Sequence, residues 1–146
     1  MIDCFDGKYA FLSNFYPSAI TDGNLIFPTV EHMFQAAKTV NIEEYKKIAA
    51  ADTPGQAKRL GRKVVLRDDW EEVKDEIMYN ALWLKFSIPD FRKKLLDTGD
   101  EKLVEGTTWH DNVWGNCTCE RCKNIEGQNK LGKLLMQIRE EIKSSM

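Results

Sequence analysis

The chain has 146 residues, enough for one domain with a full core, so neither disulfides nor a metal are required merely to fold it. Lys and Arg number 21 against 23 Asp and Glu, a formal net charge of −2, which argues against a protein that grips duplex nucleic acid by releasing phosphate counterions. There is no apolar run near eighteen residues and no basic start followed by an apolar stretch, so a cytoplasmic protein with no membrane partner is expected.

In chain order, "GKYAFLSNFYPSAI" is aromatic and partly alternating, and "NLIFP" follows a Thr21 to Gly23 turn, so the two read as short strands. At "PTVEHMFQAAK" the pattern becomes helical, with Thr29 as N-cap. Val30, Met33, Phe34 and Ala37 share one face, and Glu31, Gln35 and Lys38 share the neighbouring one. "TPGQAKRLGR" reads as a helix capped by Thr53 with Pro54 at its first position, carrying Lys58, Arg59 and Arg62. The longest predicted helix is "DDWEEVKDEIMYNALWLKF", with Trp70, Val73, Ile77, Ala81 and Leu84 as its core stripe. A shorter helix from Pro89 ends near Thr98-Gly99, "KLVEGT" reads as a strand, and "NKLGKLLMQIREEI" closes the chain with Leu131, Leu135, Ile138 and Ile142 on one stripe. Between them runs an irregular loop from about Trp109 to Gln128, a length that in compact domains usually has a function or is disordered. The fold class is α+β: a single helix-rich domain, residues 1–146, around a small β-sheet.

Several polar residues fit neither caps nor obvious solvent faces: Asn14, Glu31, His32, Gln35, Asp111, Asn112 and Asn129. Beside Trp109 and Trp114, they suit a flat heterocycle carrying a sugar, since rings stack on Trp, carboxamides read ring edges and a carboxylate stabilises an oxocarbenium-like centre. Gly115 and Gly132 would let a ligand approach the backbone. Packing of an aromatic loop against a core explains the same composition. No GxxxxGK[ST], GxGxxG, HExxH or GxSxG motif is present. A phosphate would therefore be held at the start of the Thr53 helix with Arg59 or Arg62, where the competing reading is a solvated basic face. His32 and His110 are each a general base or a hydrogen-bonded structural residue. The group Cys117-x-Cys119-x-x-Cys122 is half of a paired zinc motif; it reads as a reduced loop without metal, or as a zinc site completed by Cys4 or a histidine.

Taken in order, "FDGKYAFLSNFYPS", "TVEHMFQAAK", "AKRLGR", "MYNALWLKF", "LVEGTTWHDNVWG" and "NKLGKLLMQIR" resemble the YbiA-like, or NADAR, family of N-glycosidases over nearly the whole chain. The resemblance implies an enzyme that needs no cofactor and cleaves the bond between a ribose-type sugar and a nitrogen. Its substrate would be ADP-ribosylated guanine, in a nucleic acid or free, or a phosphorylated riboflavin-pathway intermediate. By position, Glu31 and Asp111 match the family's acidic residues, Trp114 and Gly115 its loop, Asn14 its entry motif, and Arg59 and Arg62 a basic helix. If Lys8 is partly desolvated or near Arg59, its neutral amine is expected to attack the anomeric carbon, direct attack by water assisted by a carboxylate being the alternative; Gln35, Lys38, Trp109 and Asn129 are expected to complete substrate binding. A catalytically silent module that binds NAD or ADP-ribose is the alternative.

Overall fold

The computed structural model describes every residue, Met1–Met146. Its backbone contacts form two compact units, Asn14–Ile88 and the pairing of Met1–Ser13 with Pro89–Met146. No helix is long and apolar enough to cross a membrane.

The unit Asn14–Ile88 starts with an antiparallel hairpin, β1 (Ile20–Thr21) and β2 (Ile26–Phe27), paired Ile20 to Phe27 and Thr21 to Ile26. The period of two decides which side chains face in: Ile20 and Phe27 are buried, while Thr21 and Ile26 face solvent. Asp22 closes the turn, its Oδ1 accepting from the Asn24 and Leu25 amides at 2.8 Å each, and Gly23 supplies the φ of 97° that the turn requires.

Helix α1 (Val30–Ala36) is capped by Thr29, whose Oγ1 accepts from the His32 amide at 3.1 Å. Six of its seven residues are buried, polar ones included, so it runs through the interior. Helix α2 (Ile42–Ala49) was not anticipated, although Asn41 and Glu44 form a legible start, with Asn41 Oδ1 accepting from Glu44 N at 3.0 Å. Helix α3 (Pro54–Gly61) has the expected Thr53 cap and packs on α1 through buried Ala57 and Gly61. Helix α4 (Trp70–Phe86) brings Trp70 against Phe34, with ring centroids 5.1 Å apart.

The core stripe of α4 differs from the expected one. Met78, Ala81, Leu82, Lys85 and Phe86 are buried with Trp70, whereas Leu84 is 39% exposed and Val73 and Ile77 are half-buried. This helix carries apolar residues around most of its circumference, so periodicity alone selected a neighbouring face.

In the other unit, Gly7–Leu12 is a 3₁₀ helix rather than a strand; its alternating aromatics bury Phe11 and Leu12 while the chain turns. Helix α5 (Pro89–Asp97) ends where expected, with Gly99 at φ 63° just beyond it. Of "KLVEGT", only Gly106–Thr107 is a strand, β3, pairing in parallel with β4 (Asn116–Cys117). Leu103 instead forms an isolated parallel bridge with Ile2. Helix α6 (Lys130–Ser144) buries the expected Leu131, Leu135, Ile138 and Ile142. Truncating Leu135, fully enclosed, to Ala costs about 2–5 kcal/mol. Arg139, also buried, ties α6 to the end of α5, donating to Thr98 Oγ1 and Glu101 O at 2.8 Å each.

Candidate active-site residues

In the unit Asn14–Ile88, the predicted residues gather around α1. Glu31 is only 7% exposed, and its Oε1 accepts a hydrogen bond from Gln35 Nε2 at 2.7 Å, one turn further on. The Glu31 amide donates to Asn14 O at 3.1 Å, so the Asn14 segment is joined to the first turn of the helix. The Asn14 amide nitrogen points at Met78 Sδ, 3.5 Å away, and its buried Oδ1 has no hydrogen-bond partner within the protein. Gln35 owes its position to α3: a Cβ on Gly61 would lie 2.0 Å from Gln35 Oε1, so the glycine makes room for the amide.

Lys38 is half-buried on the same side of α1, and its ammonium lies 5.9 Å from the centre of the Trp70 ring. Burial holds its pKa below the ordinary lysine value; Glu31 pulls the other way, and Arg62 and Lys58 add to the depression. Lys38 therefore shares electrostatic range with one carboxylate and two further cations, an excess of positive charge suited to an anion. Arg59 curls back along α3, as helical side chains do, and its Nη1 comes 3.8 Å from the Cβ position of Gly55 in the first turn. The guanidinium and the start of the helix thus face the same region.

His32 is not placed for proton transfer. Its Nε2 meets Ala51 O at 3.0 Å and its Nδ1 meets Thr29 Oγ1 at 2.8 Å. A carbonyl oxygen only accepts, so Nε2 carries the hydrogen and both ring nitrogens are engaged. Sequence reasoning passed over Lys85, which is fully buried on α4 with its Nζ 5.1 Å from the Phe86 ring centre and 6.0 Å from that of Tyr16. A charge so far from water is rare without a functional or structural reason. Its spacing of four from Ala81 is the signal that could have drawn attention to it.

In the other unit, the loop before α6 gathers Asp111, Trp114, Gly115 and Asn129. Asp111 Oδ1 accepts from the Val113 and Trp114 amides at 3.1 and 3.0 Å, an Asx turn that shapes the loop, and its side chain stays partly exposed. The Val113 and Trp114 carbonyls accept from Lys130 and Leu131, the first amides of α6, so that helix start is already satisfied by the protein. Asn129, buried and left-handed at φ 51°, uses both ends of its carboxamide on backbone: Oδ1 accepts from Glu105 N at 3.0 Å and Nδ2 donates to Leu103 O at 2.9 Å. Gly115 and Gly132 do not open onto a ligand as expected. A Cβ at Gly115 would meet Glu105 O at 2.4 Å, and one at Gly132 would meet Leu103 O at 2.1 Å, so both glycines admit neighbouring backbone. Trp109 is 56% exposed, and the Lys130 ammonium sits 5.6 Å from the Trp114 ring centre. Lys8 lies on the exposed side of the 3₁₀ helix, 5.0 Å from the Tyr9 ring centre.

The same loop holds Cys117, Cys119 and Cys122 around His110. Burial opposes ionisation of Cys117, yet hydrogen bonds from the Cys119 backbone and thiol, the His110 amide and the Cys122 thiol bring it down to about 6. Burial and the hydrogen bonds it makes to Cys117 and Cys119 push the Cys122 thiol up to about 11.

A model of the NADAR domain matches residues 4–143. The chain belongs to the NADAR family. An N-glycosidase of Nostoc punctiforme is 43% identical over 142 residues, covering 93% of this chain and 87% of that protein. The chloroplastic riboflavin biosynthesis protein PYRR of Zea mays is 38% identical over 148 residues, spanning 89% of this chain but 23% of that protein. The NMR structure of the E. coli protein YbiA superposes with a TM-score of 0.82 at 36% identity, covering 99% of this chain and 88% of that one. The NADAR membership and this structural match agree with a helix-rich α+β fold.

Proposed function

We propose that this NADAR protein is an N-glycosidase, a hydrolase that splits the bond between a phosphorylated ribosyl group and a base or amine. The observation that carries the reading is the buried Glu31 carboxylate, held by Gln35 and within electrostatic range of Lys38, which Arg62 and Lys58 adjoin in turn. Departure of a base leaves positive charge on the anomeric carbon, which a carboxylate stabilises, while the departing nitrogen needs a proton. Glu31 is assigned one or both of these tasks. The surrounding cations, with Arg59 folded toward the start of α3, are assigned the phosphate or diphosphate. Asn14, with an unused acceptor at Oδ1, is assigned a hydroxyl or amine of the substrate. Asn129 serves by holding the loop that carries Asp111 and Trp114, since its own amide is spent on Glu105 and Leu103.

Two substrate classes fit: ADP-ribosylated guanine and aminated pyrimidine ribosyl phosphates. The maize relative's name favours the second and the number of cations favours the first, whose diphosphate carries more charge. Incubating the purified protein with each, and with NAD, and measuring released base identifies the substrate. Binding with no turnover of any of them would make the protein a silent module instead. For Lys8 the assigned role is attack on the anomeric carbon to give an imine with the opened sugar. Borohydride should then trap an adduct on Lys8 during turnover, and Lys8→Arg should abolish it; full activity in that variant would remove Lys8 from the chemistry.

A further inference from the structure

The cluster formed by His110, Cys117, Cys119 and Cys122 belongs to none of the groups assigned to the sugar, base or phosphate. We propose that these four residues bind one zinc ion, as a closed structural site that fixes the loop between β3 and α6.

Their ligand atoms all lie within 4.8 Å of one another. His110 Nδ1 is 3.3 Å from both Cys119 Sγ and Cys122 Sγ, and the His110 amide donates to Cys117 Sγ at 3.3 Å. A tetrahedral ion with Zn–S bonds of about 2.3 Å and a Zn–N bond of about 2.0 Å sets its ligand atoms roughly 3.5–3.8 Å apart. The four groups therefore need only small adjustments to close on a metal. The sequence left the fourth ligand open between Cys4 and a histidine. His32 is engaged by Thr29 and Ala51, and Cys4 is exposed and outside the cluster, so His110 fills the position.

The backbone is arranged for this purpose. His110 adopts a left-handed conformation, φ 67°, uncommon outside glycine though histidine is among the residues that enter it; the ring meets the sulfurs of Cys119 and Cys122 while its amide meets Cys117. Asn112 Oδ1 accepts from the Cys117 amide at 2.8 Å, and the Cys122 amide donates to Cys119 O at 3.0 Å in a tight turn. As regular structure the surrounding segment has only the two-residue parallel pairing of β3 with β4; hydrogen bonds of Asp111, Asn112 and Asn129 hold the rest. A four-ligand metal would add a stronger constraint to that network. With three sulfurs and one nitrogen the shell is complete, so no position stays open for water or substrate, and binding releases the protons carried by the thiols. Its role is to hold Trp109 and Asp111, which flank His110, and to fix the approach to Trp114.

The test uses the full chain, purified without metal-binding tags or added chelator. Elemental analysis should find about one zinc per chain, and chelator-treated protein should take up one Co²⁺ with thiolate charge-transfer and tetrahedral d–d absorption. His110→Ala and Cys119→Ser should lose the ion, His110→Cys should retain it by offering a fourth sulfur, and Cys4→Ser should retain it fully. If His110→Ala and Cys119→Ser do not fold, the cobalt spectrum of the parent chain and the His110→Cys and Cys4→Ser variants still decide. Metal-free protein that binds neither Zn²⁺ nor Co²⁺, a disulfide among the three cysteines detected by mass in freshly purified protein, or loss of the ion in Cys4→Ser would overturn the proposal.

Discussion

The Gln35 side-chain amide donates to the Glu31 carboxylate at 2.7 Å across one turn of α1, and both residues are buried. That bond favours the charged carboxylate and fixes its direction. Removing the charge with Glu31→Gln should leave the thermal midpoint nearly unchanged and lower kcat by at least ~10²-fold, the scale of one acid–base group. Gln35→Leu should act through Glu31. Without the donated hydrogen bond the carboxylate turns more readily, so kcat should fall while KM stays near that of the parent. A purely structural role for Gln35 would lower the thermal midpoint and leave kcat in place.

Gly61→Ala is expected to be disproportionately harmful. The new methyl would sit 2.0 Å from Gln35 Oε1, inside a buried contact between α1 and α3. Overpacking of this kind costs about 1–3 kcal/mol, visible as a lower chemical-denaturation midpoint. Activity should fall as well, because the Gln35 amide must rotate away from Glu31. Unchanged stability and rate would mean that α3 moves aside freely.

Legibility in the sequence followed how local each signal is. Thr29 and Thr53 announce their helices because a cap is a contact within four residues, and α6 was readable because its stripe faces a single side. The 3₁₀ helix over Gly7–Leu12 was mistaken for a strand because its two aromatics, Tyr9 and Phe11, are spaced by two as on a strand face, and six residues are too few for a period of three to show. Lys85 was invisible for a different reason: a lysine on a helix is nearly always solvated, and only packing shows that this one is enclosed. The partnership of Glu31 with Gln35 was half legible, since a spacing of four puts them on one face, but not whether that face met water. His110 could not be chosen as the partner of the cysteines, because its selection depends on a left-handed turn.

Stability should respond to pH at the β1–β2 hairpin through Asp22 and Tyr45. The Leu25 backbone, the Tyr45 hydroxyl and the Asn24 backbone together hold the Asp22 carboxyl below its usual range, and burial followed by the bond to Asp22 raises the Tyr45 phenol. For a depressed carboxyl the stabilisation is present above its unfolded pKa, about 3.9, and is lost as pH falls through the folded value. For a raised phenol it is present below about 10 and is lost as pH rises through the folded value. The gap in thermal midpoint between the parent chain and Asp22→Asn should therefore be widest from about pH 5 to 9 and shrink on either side. A gap that is flat with pH would show that the charge on Asp22 contributes nothing.

Asp111 allows its two possible roles to be separated. Its Oδ1 receives the Val113 and Trp114 amides and so shapes the turn leading to Trp114, while the negative charge is what would serve an anomeric cation. Asp111→Asn keeps an oxygen in place for both amides and removes the charge; Asp111→Ala removes both. If the charge takes part in the chemistry, Asp111→Asn should lose most of its kcat, with KM, thermal midpoint and hydrogen exchange of the Val113 and Trp114 amides near those of the parent. Asp111→Ala should be equally inactive and should also exchange those two amides faster. If Asp111 only builds the turn, Asp111→Asn stays active and Asp111→Ala alone fails, with KM rising as the Trp114 platform loosens. The first pattern is expected, because a neutral asparagine would build the same turn as well as an aspartate.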